Sequence, residues 1–182
     1  VKRTVEGDLG MRHNIAAIDE AAGEGVIAAE SGLALMRVRD LIAELARNVE
    51  RIPANADEVA LDRALARAAV RLAVKRHAGT VETVFTVSGP VLVQRGKDLS
   101  DVGVVIGTGG ALVHSPDPAA ILATALADAG DPLSLRPRAP RLLLDREYIL
   151  YACGLLGQVE PRQALALELA IAFDTWRLFT QG

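Results

Sequence analysis

The sequence predicts a helix-rich α/β fold with a short mixed sheet. In about the first 78 residues, apolar side chains recur at spacings of three and four, which is typical of amphipathic helices. Residues 80–96 instead alternate apolar and polar side chains, as strands do. The apolar run Val102–Ile106 follows and ends in a cluster of glycines. We therefore expect one lobe, 1–182, with a helical region at about 13–78 and an α/β region at about 80–182.

Two helices are expected at the start of the helical region. The first runs from about His13 to Glu30 and is weakened by Gly23 and Gly25, each of which costs up to about 1 kcal/mol relative to alanine. We expect a break or a bend at these glycines. The second helix spans Leu33–Arg51, and Pro53 stops it because proline lacks the amide donor.

A third helix, Glu58–His77, completes the helical region. Asp57 precedes it as the expected cap, and Gly79 follows it as the expected stop. At the other end of the region, Val1–Val5 is expected to form a short strand or the tail of one. The turn-like residues 6–10 come after that strand.

The strands come next along the chain. Alternating residues on both sides of Ser88-Gly89-Pro90 predict a hairpin that turns at these three residues. Val102–Ile106 has the continuous apolar character of a buried strand in a parallel sheet. The glycine turn that follows, Gly107-Thr108-Gly109-Gly110, leads into the last part of the chain.

Helices and an irregular linker are expected after this turn. Asp117 caps a helix that has Pro118 at its first position and runs to about Ala129. The linker follows at 133–144, where Arg136, Arg138 and Arg141 form a small basic cluster that we expect to be solvated. Asp145 then caps the helix "REYILYACGLLG". Pro161 opens a last amphipathic helix through Leu165, Leu169 and Phe173.

Composition excludes several classes of protein. A formal net charge of −3 argues against a nucleic-acid binder, which normally presents a basic face. The single cysteine, Cys153, fits a reducing cytoplasm, where we expect the protein to act. No apolar run approaches the roughly 18 residues that a membrane span requires. Because the chain opens with Val1 in the middle of a strand pattern, we expect it to be a fragment of a longer protein.

The glycine turn Gly107-Thr108-Gly109-Gly110 is the strongest candidate for a ligand site. A dinucleotide fingerprint would need glycine where Leu112 stands, and a phosphate loop of the Walker type would need a lysine after Gly110. The third interpretation is a turn that packs flat against an adenosine, because glycine lets the backbone approach a base or a ribose closely. A tight structural turn between strand and helix is the alternative.

A second candidate lies near the start of the chain. Glu6, Gly7 and Asp8 follow the first strand pattern and precede a helix. Their amides suit a phosphate, and their carboxylates suit a magnesium ion held through water. An ordinary capped turn is the alternative.

The remaining polar residues give no sign of catalysis. We expect His13, His77 and His114 to be caps or surface groups, and Cys153 to be a small buried hydrophobe. Ser115 has no relay through histidine and an acid that would indicate a hydrolase.

Four segments together carry a resemblance to a known family. They are "VKRTVEGDLGMRHN", "AVKRHAGT", "VQRGKDLSDVGVVIGTGGALVHSP" and "LLLDREYILYACGLLG". The chain resembles the accessory protein of glutamate mutase (methylaspartate mutase), the MutL or GlmL family, over nearly its whole length. More broadly, it is similar to the second half of the actin, sugar kinase and heat-shock-protein ATPase fold, which is ribonuclease H-like.

The resemblance implies a nucleotide-dependent chaperone that reactivates an adenosylcobalamin-dependent mutase. It implies that ATP or ADP binds with Mg²⁺ and that a mutase subunit is the partner. By resemblance, Gly107, Thr108, Gly109 and Gly110 hold the adenosine. Glu6, Gly7 and Asp8 would lie on the phosphate and magnesium side.

The chain departs from the superfamily in one respect. The superfamily's phosphate loops would precede Val1, and neither is present here. The resemblance therefore implies an ATPase only for the full-length protein, with this lobe inactive without the missing N-terminal lobe. The alternative function is a non-catalytic module of the same fold that binds a mutase subunit.

Overall fold

This computed structural model describes residues 6–167, and within them four helices precede the first strand. The helices of the first half are α1 (Ile15–Ala22), α2 (Val26–Ser31), α3 (Leu35–Arg47) and α4 (Ala56–His77). The second half contains β1 (Thr80–Thr86), β2 (Gly89–Arg95), β3 (Val104–Gly107), α5 (Gly110–Val113), α6 (Pro118–Ala123), β4 (Arg141–Leu144) and α7 (Leu150–Leu156). Residues 161–167 are also helical. The predicted strand at 1–5 and the part of the last helix around 169–173 lie outside the described residues.

The break predicted in the first helix is confirmed. Gly23 has φ 98° and Gly25 has φ 76°, in the left-handed region that favours glycine, and these residues separate α1 from α2. The predicted end of the second helix is wrong. Helix α3 stops at Arg47 because Asn48 leaves helical geometry, and the amide of Arg51 then donates to the Asn48 carbonyl at 3.1 Å.

Asn55, and not Asp57 as predicted, caps α4. Its side chain accepts a hydrogen bond from the amide of Glu58 at 3.0 Å, and the Glu58 carboxylate accepts one from the amide of Ala54 at 2.8 Å. This pattern is a variant of the capping box, in which the Glu58 carboxylate reaches the amide of the residue before the cap and not that of Asn55 itself. Asp57 lies in the first turn, where it pairs with Arg37 at 2.9 Å.

Helix α4 ends at His77 as predicted, but Ala78 and not Gly79 is its C-cap, and Gly79 joins the helix to the hairpin. A Cβ atom at Gly79 would lie 2.8 Å from the carbonyl carbon of Gly96 and 2.9 Å from the amide nitrogen of Lys97. The amide of Gly79 donates to the Lys97 carbonyl at 2.6 Å. Two backbones therefore touch here, at the base of the hairpin.

The strands form two separate two-stranded sheets in the described residues, where one mixed sheet was predicted. Strands β1 and β2 are antiparallel, and Thr86 pairs with Gly89, so the hairpin turns one residue earlier than expected. Strands β3 and β4 are parallel, with Val104 opposite Arg141. The parallel pairing of β3 confirms that prediction. Its expected full burial is wrong, because Val104 and Ile106 are 42% and 39% exposed.

The linker predicted at 133–144 is only partly irregular, because residues 141–144 form β4. The basic cluster of Arg136, Arg138 and Arg141 is also not fully exposed to solvent. Arg136 is 2% exposed and forms an ion pair with Asp128, while Arg141 is the first residue of β4. The prediction of solvated arginines is therefore wrong for Arg136 and confirmed for Arg138 and Arg141, which are exposed.

Of the caps predicted for the last helices, Asp117 is confirmed, whereas Ile149 and not Asp145 is the N-cap of α7. The Asp117 side chain accepts from the amide of Ala120 at 3.0 Å, as predicted. Helix α6 ends at Ala123 and not near Ala129, and the Thr124 hydroxyl donates to the Ile121 carbonyl at 2.7 Å. Helix α7 starts only at Leu150, after a turn at 146–149.

Helix α4 belongs to both apolar clusters of the described chain. The larger cluster packs α1 to α4 together; its members are Leu9, Ile15, Ile18, Ile27, Val38, Leu41, Ile42, Leu45, Leu61, Ala64, Leu65 and Ala68. The smaller one joins the opposite side of α4 to α5, α6 and β4 through Ala66, Leu112, Ile121, Leu122 and Leu144. Between residues 6 and 167, no helix is long and apolar enough to cross a membrane.

Candidate functional site

The glycine turn connects the end of β3 to α5. Gly107 is buried, and a Cβ atom there would lie 2.7 Å from a methyl group of Leu122 and 2.8 Å from one of Leu112. Gly109 has φ 103° and ψ 155°, a conformation that side-chain-bearing residues rarely adopt. Nothing lies within 4 Å of the position that a Cβ atom of Gly109 would occupy. The turn is therefore tightly packed at its first residue and open at its third.

Asp145 fixes the turn from the neighbouring strand. Its amide donates to the Gly107 carbonyl at 2.8 Å, and its carboxylate accepts a hydrogen bond from the Thr108 hydroxyl at 3.1 Å. The same carboxylate accepts from the amides of Ile149 and Leu150 at 3.1 and 3.2 Å. Asp145 was predicted as the cap of the following helix, but the N-cap of α7 is Ile149, and the structure places Asp145 beside the glycine turn instead.

A cavity of about 500 Å³ borders α5, a volume suited to a small organic ligand. Its wall includes Gly110 and Ala111 from the start of α5. Three other segments of the chain also line the cavity: Met11 and Arg12; Val49, Glu50, Arg51, Ile52 and Pro53; Val59, Asp62 and Arg63. His114, Ser115 and Pro116 complete the wall. The Ile52 side chain on this wall is 81% exposed, so apolar surface next to the cavity is accessible to solvent.

Two of the three arginines on the cavity wall are neutralised. Arg12 pairs with Asp62 at 2.5 Å, and Arg51 pairs with the buried Glu58. Arg63 is half-buried and has no ion-pair partner within residues 6–167. One planar cation is thus left free beside apolar side chains, an arrangement that suits an aromatic ring as well as an anion.

Of the four residues of the glycine turn, Gly110 alone lies on the wall of this cavity. Glu6 and Asp8 lie elsewhere, where both carboxylates accept hydrogen bonds from Arg76 at 2.9 Å. The hydrogen bond from Arg76 holds the pKa of Asp8 below its ordinary value. The Gly7 carbonyl accepts from the Asn14 side chain at 2.6 Å.

The two predicted halves of the site are far apart along α4. Asp62 lines the cavity, and Arg76 pairs with Glu6 and Asp8 fourteen residues later on the same helix. At 1.5 Å per residue this separation is about 21 Å. The structure therefore does not gather Glu6, Asp8 and Gly110 around one cavity.

Most of the cavity wall carries no motif that the sequence would reveal. Arg63 resembles any other charged residue of an amphipathic helix, and its lack of a partner is visible only in the fold. His114 is exposed and on the cavity wall, and Cys153 is buried as predicted. In the described part of the chain, no group of three or more histidine, cysteine or acidic side chains is arranged to hold a metal ion.

Comparison with known proteins identifies the family. The family model described as MutL protein matches residues 1–170. Protein MutL of Clostridium tetanomorphum is 38% identical over 166 residues, which cover 91% of this chain and 36% of that protein. The chain thus spans about a third of the length of this relative. No solved structure matches it. The matches to the family model and to this relative show that the chain belongs to the MutL protein family.

Proposed function

We propose that this chain is the adenosine-binding lobe of an ATP-dependent accessory protein that reactivates an adenosylcobalamin-dependent glutamate mutase. The observation that carries the proposal is the cavity of about 500 Å³ whose wall contains Gly110. Membership of the MutL family supports the accessory role. We further propose that the lobe has an actin-like, ribonuclease H-like fold and acts in the cytoplasm.

The residues around the cavity fit a nucleoside better than a polyphosphate. Ile52, Pro53 and Val59 offer apolar surface for a base, and Gly110 permits close approach of a ribose. Arg63 is the one cation of this wall without a partner among the described residues, and Glu50 opposes its charge. Phosphates and Mg²⁺ would therefore be held mainly by other parts of the cleft.

Hydrolysis accordingly belongs to the full-length gene product. Phosphoryl transfer depends on groups that clamp the phosphates and the metal ion, and this chain spans only about a third of the relative that it matches. Glu6 and Asp8 remain candidates for the phosphate side, but Arg76 would have to release them first. We expect this chain alone to bind nucleotide weakly and to leave it unhydrolysed.

Calorimetric titration with Mg-ATP, Mg-ADP and adenosine tests this function in the full-length gene product and in this chain. Ala111→Phe would fill the cavity from an exposed position on its wall, without the backbone strain that a side chain at Gly109 would cause. Ala43→Phe places the same bulk on the exposed face of α3 as a control. Binding that Ala111→Phe abolishes and Ala43→Phe retains supports the proposal. Absence of binding to the full-length gene product refutes it.

A second function, a module that binds a mutase subunit, is favoured by the hairpin β1–β2. Phe85 is 82% exposed and Leu92 is 71% exposed. Because Phe85 pairs with Pro90 and Thr83 pairs with Leu92, the two apolar side chains share one face of the hairpin. Exposed apolar patches of this kind commonly mark interaction surfaces.

The double variant Phe85→Ser/Leu92→Thr tests this second function. Its affinity for the purified glutamate mutase subunits should fall at least tenfold relative to the unaltered protein. Gln94→Ser lies on the same hairpin face and serves as the control. If the double variant binds the subunits as tightly as the control, the hairpin is not the contact.

A further inference from the structure

Tyr148 has a strained backbone next to the glycine turn. Its φ of 54° is in the left-handed region, and within residues 6–167 it is the sole residue other than glycine with a positive φ. A residue with a side chain is strained in this region, and such strained residues cluster at ligand sites. The strain must therefore be held in place by its surroundings.

Asp145 supplies that restraint. Its carboxylate spans the turn at 146–149 by accepting from the amides of Ile149 and Leu150. Because the same carboxylate also accepts from the Thr108 hydroxyl, the turn that carries Tyr148 is fixed to the glycine turn. The motif "DREYI" thus places the tyrosine relative to Gly107–Gly110.

The phenol of Tyr148 reaches over Gly110. Its hydroxyl lies 3.4 Å from the position that a Cβ atom of Gly110 would occupy, and its ring centroid lies 6.4 Å from that of His114. Both Gly110 and His114 are on the cavity wall. The half-buried tyrosine hydroxyl makes no hydrogen bond with any described residue. Tyr148 itself does not line the cavity, but its hydroxyl, a donor with no partner among the described residues, lies next to Gly110 at the edge of the cavity wall.

We propose that Tyr148 is a ligand-binding residue whose hydroxyl hydrogen-bonds to the nucleoside part of an adenine nucleotide seated against Gly110. This inference rests on the proposed nucleotide-binding function. A neutral phenol suits the base or the ribose, because a phosphate calls for positive charge and amides. A role in ligand binding would explain why a tyrosine, and not glycine or asparagine, occupies this left-handed position.

Tyr148→Phe in the full-length gene product is the first test, because it removes the hydroxyl and keeps the ring and the backbone conformation. Affinities for adenosine and for Mg-ATP, measured by calorimetry, should both fall by about two- to tenfold, the effect of one hydrogen bond. The melting temperature should stay unchanged. A larger loss is expected for Tyr148→Asn, which relieves the backbone strain and also removes the ring.

The outcomes separate this inference from the function on which it rests. If the unaltered protein binds both ligands and Ala111→Phe weakens them, but both Tyr148 variants bind normally, Tyr148 is not a ligand contact. A loss for Mg-ATP without a loss for adenosine would place the contact on the phosphates and overturn the inference as well. If the unaltered protein binds neither ligand, the proposed function fails and this inference fails with it.

Discussion

The hydroxyl of Thr108 donates a hydrogen bond to the carboxylate of Asp145 at 3.1 Å across 37 residues of sequence. The contact follows from the register of the parallel pair, in which Gly107 lies opposite Leu144. The residues after each strand therefore lie side by side. In open α/β sheets, ligands bind at this carboxyl end of the strands. The candidate site thus forms where the topology favours one.

Removal of the Asp145 carboxylate should destabilise the chain. Asp145→Ala leaves the Thr108 hydroxyl and two backbone amides without their acceptor, and Asp145 is only 7% exposed. We expect the free energy of unfolding, measured by urea denaturation, to fall by about 2–3 kcal/mol. Thr108→Val, which removes one donor, should cost about 1 kcal/mol. If Asp145→Ala is as stable as the unaltered chain, the hydrogen bonds to the Asp145 carboxylate make no net contribution to stability.

Glu58 should make stability depend on pH in the acid range. Hydrogen bonds from the amide of Ala54 and from Arg51 hold its pKa below the ordinary value of 4.5. A carboxyl with a lowered pKa in the folded state stabilises the fold fully above its unfolded pKa. That stability is lost as the pH falls from 4.5 through the folded value.

The comparison of Glu58→Gln with the unaltered chain measures this contribution. The variant should be less stable by about 1–2 kcal/mol at neutral pH, because it weakens the capping box of α4. The difference should shrink as the pH falls below 4.5. Glu20→Gln, at an exposed position on α1, is the control and should not change the pH profile. If the difference in stability between Glu58→Gln and the unaltered chain does not change with pH, the lowered pKa of Glu58 does not contribute to stability.

Asp128 should be needed to keep Arg136 buried. Arg136 is 2% exposed, and its hydrogen bond to Asp128 lowers the pKa of that carboxyl. Asp128→Ala leaves a buried guanidinium uncompensated, at a cost of about 2 kcal/mol in unfolding free energy, since Asp128 itself is partly solvated. The double variant Asp128→Ala/Arg136→Met should recover part of this loss. If the double variant is as unstable as the sum of both single variants, the pair is not coupled.

Arg63 should contribute to nucleoside binding. Arg63→Met removes the guanidinium without an ion-pair partner and should weaken adenosine binding about three- to tenfold in calorimetry, with little effect on stability. Arg63→Lys keeps the charge but loses the planar group, so it should recover only part of the affinity. Arg47→Met, at an exposed position in the last turn of α3, is the matched control. Unchanged adenosine affinity in Arg63→Met would place the ligand elsewhere.

Local features of the fold were predictable from the sequence. The break between α1 and α2 depends on Gly23 and Gly25 alone, and the cap of α6 depends on Asp117 and its neighbours. The choice of Asp57 over Asn55 as the cap of α4 failed for a local reason. Both residue types cap helices, and the glutamate three positions after Asn55 decided between them.

Features that depend on distant partners were not predictable. Strand β4 follows a segment with two prolines and two arginines, and it becomes a strand because β3 lies alongside it. The cavity draws its wall from four separate segments, so no single motif marks it. Arg63 and Tyr148 became candidates only from a missing ion pair and a backbone angle. The family, in contrast, was identified correctly because several short segments matched together.

The contact of Gly79 with the backbone of residues 95–97 limits how this protein can evolve. A methyl group at position 79 would collide with main-chain atoms, which no change of rotamer can move aside. A Cβ atom at Gly96 would in turn lie 2.9 Å from the α-carbon of Gly79. A single substitution at either position therefore cannot be accommodated by its neighbours' side chains. The base of the hairpin can change only by rebuilding both chain segments at once, so we expect descendants of this chain to inherit the two glycines as a pair.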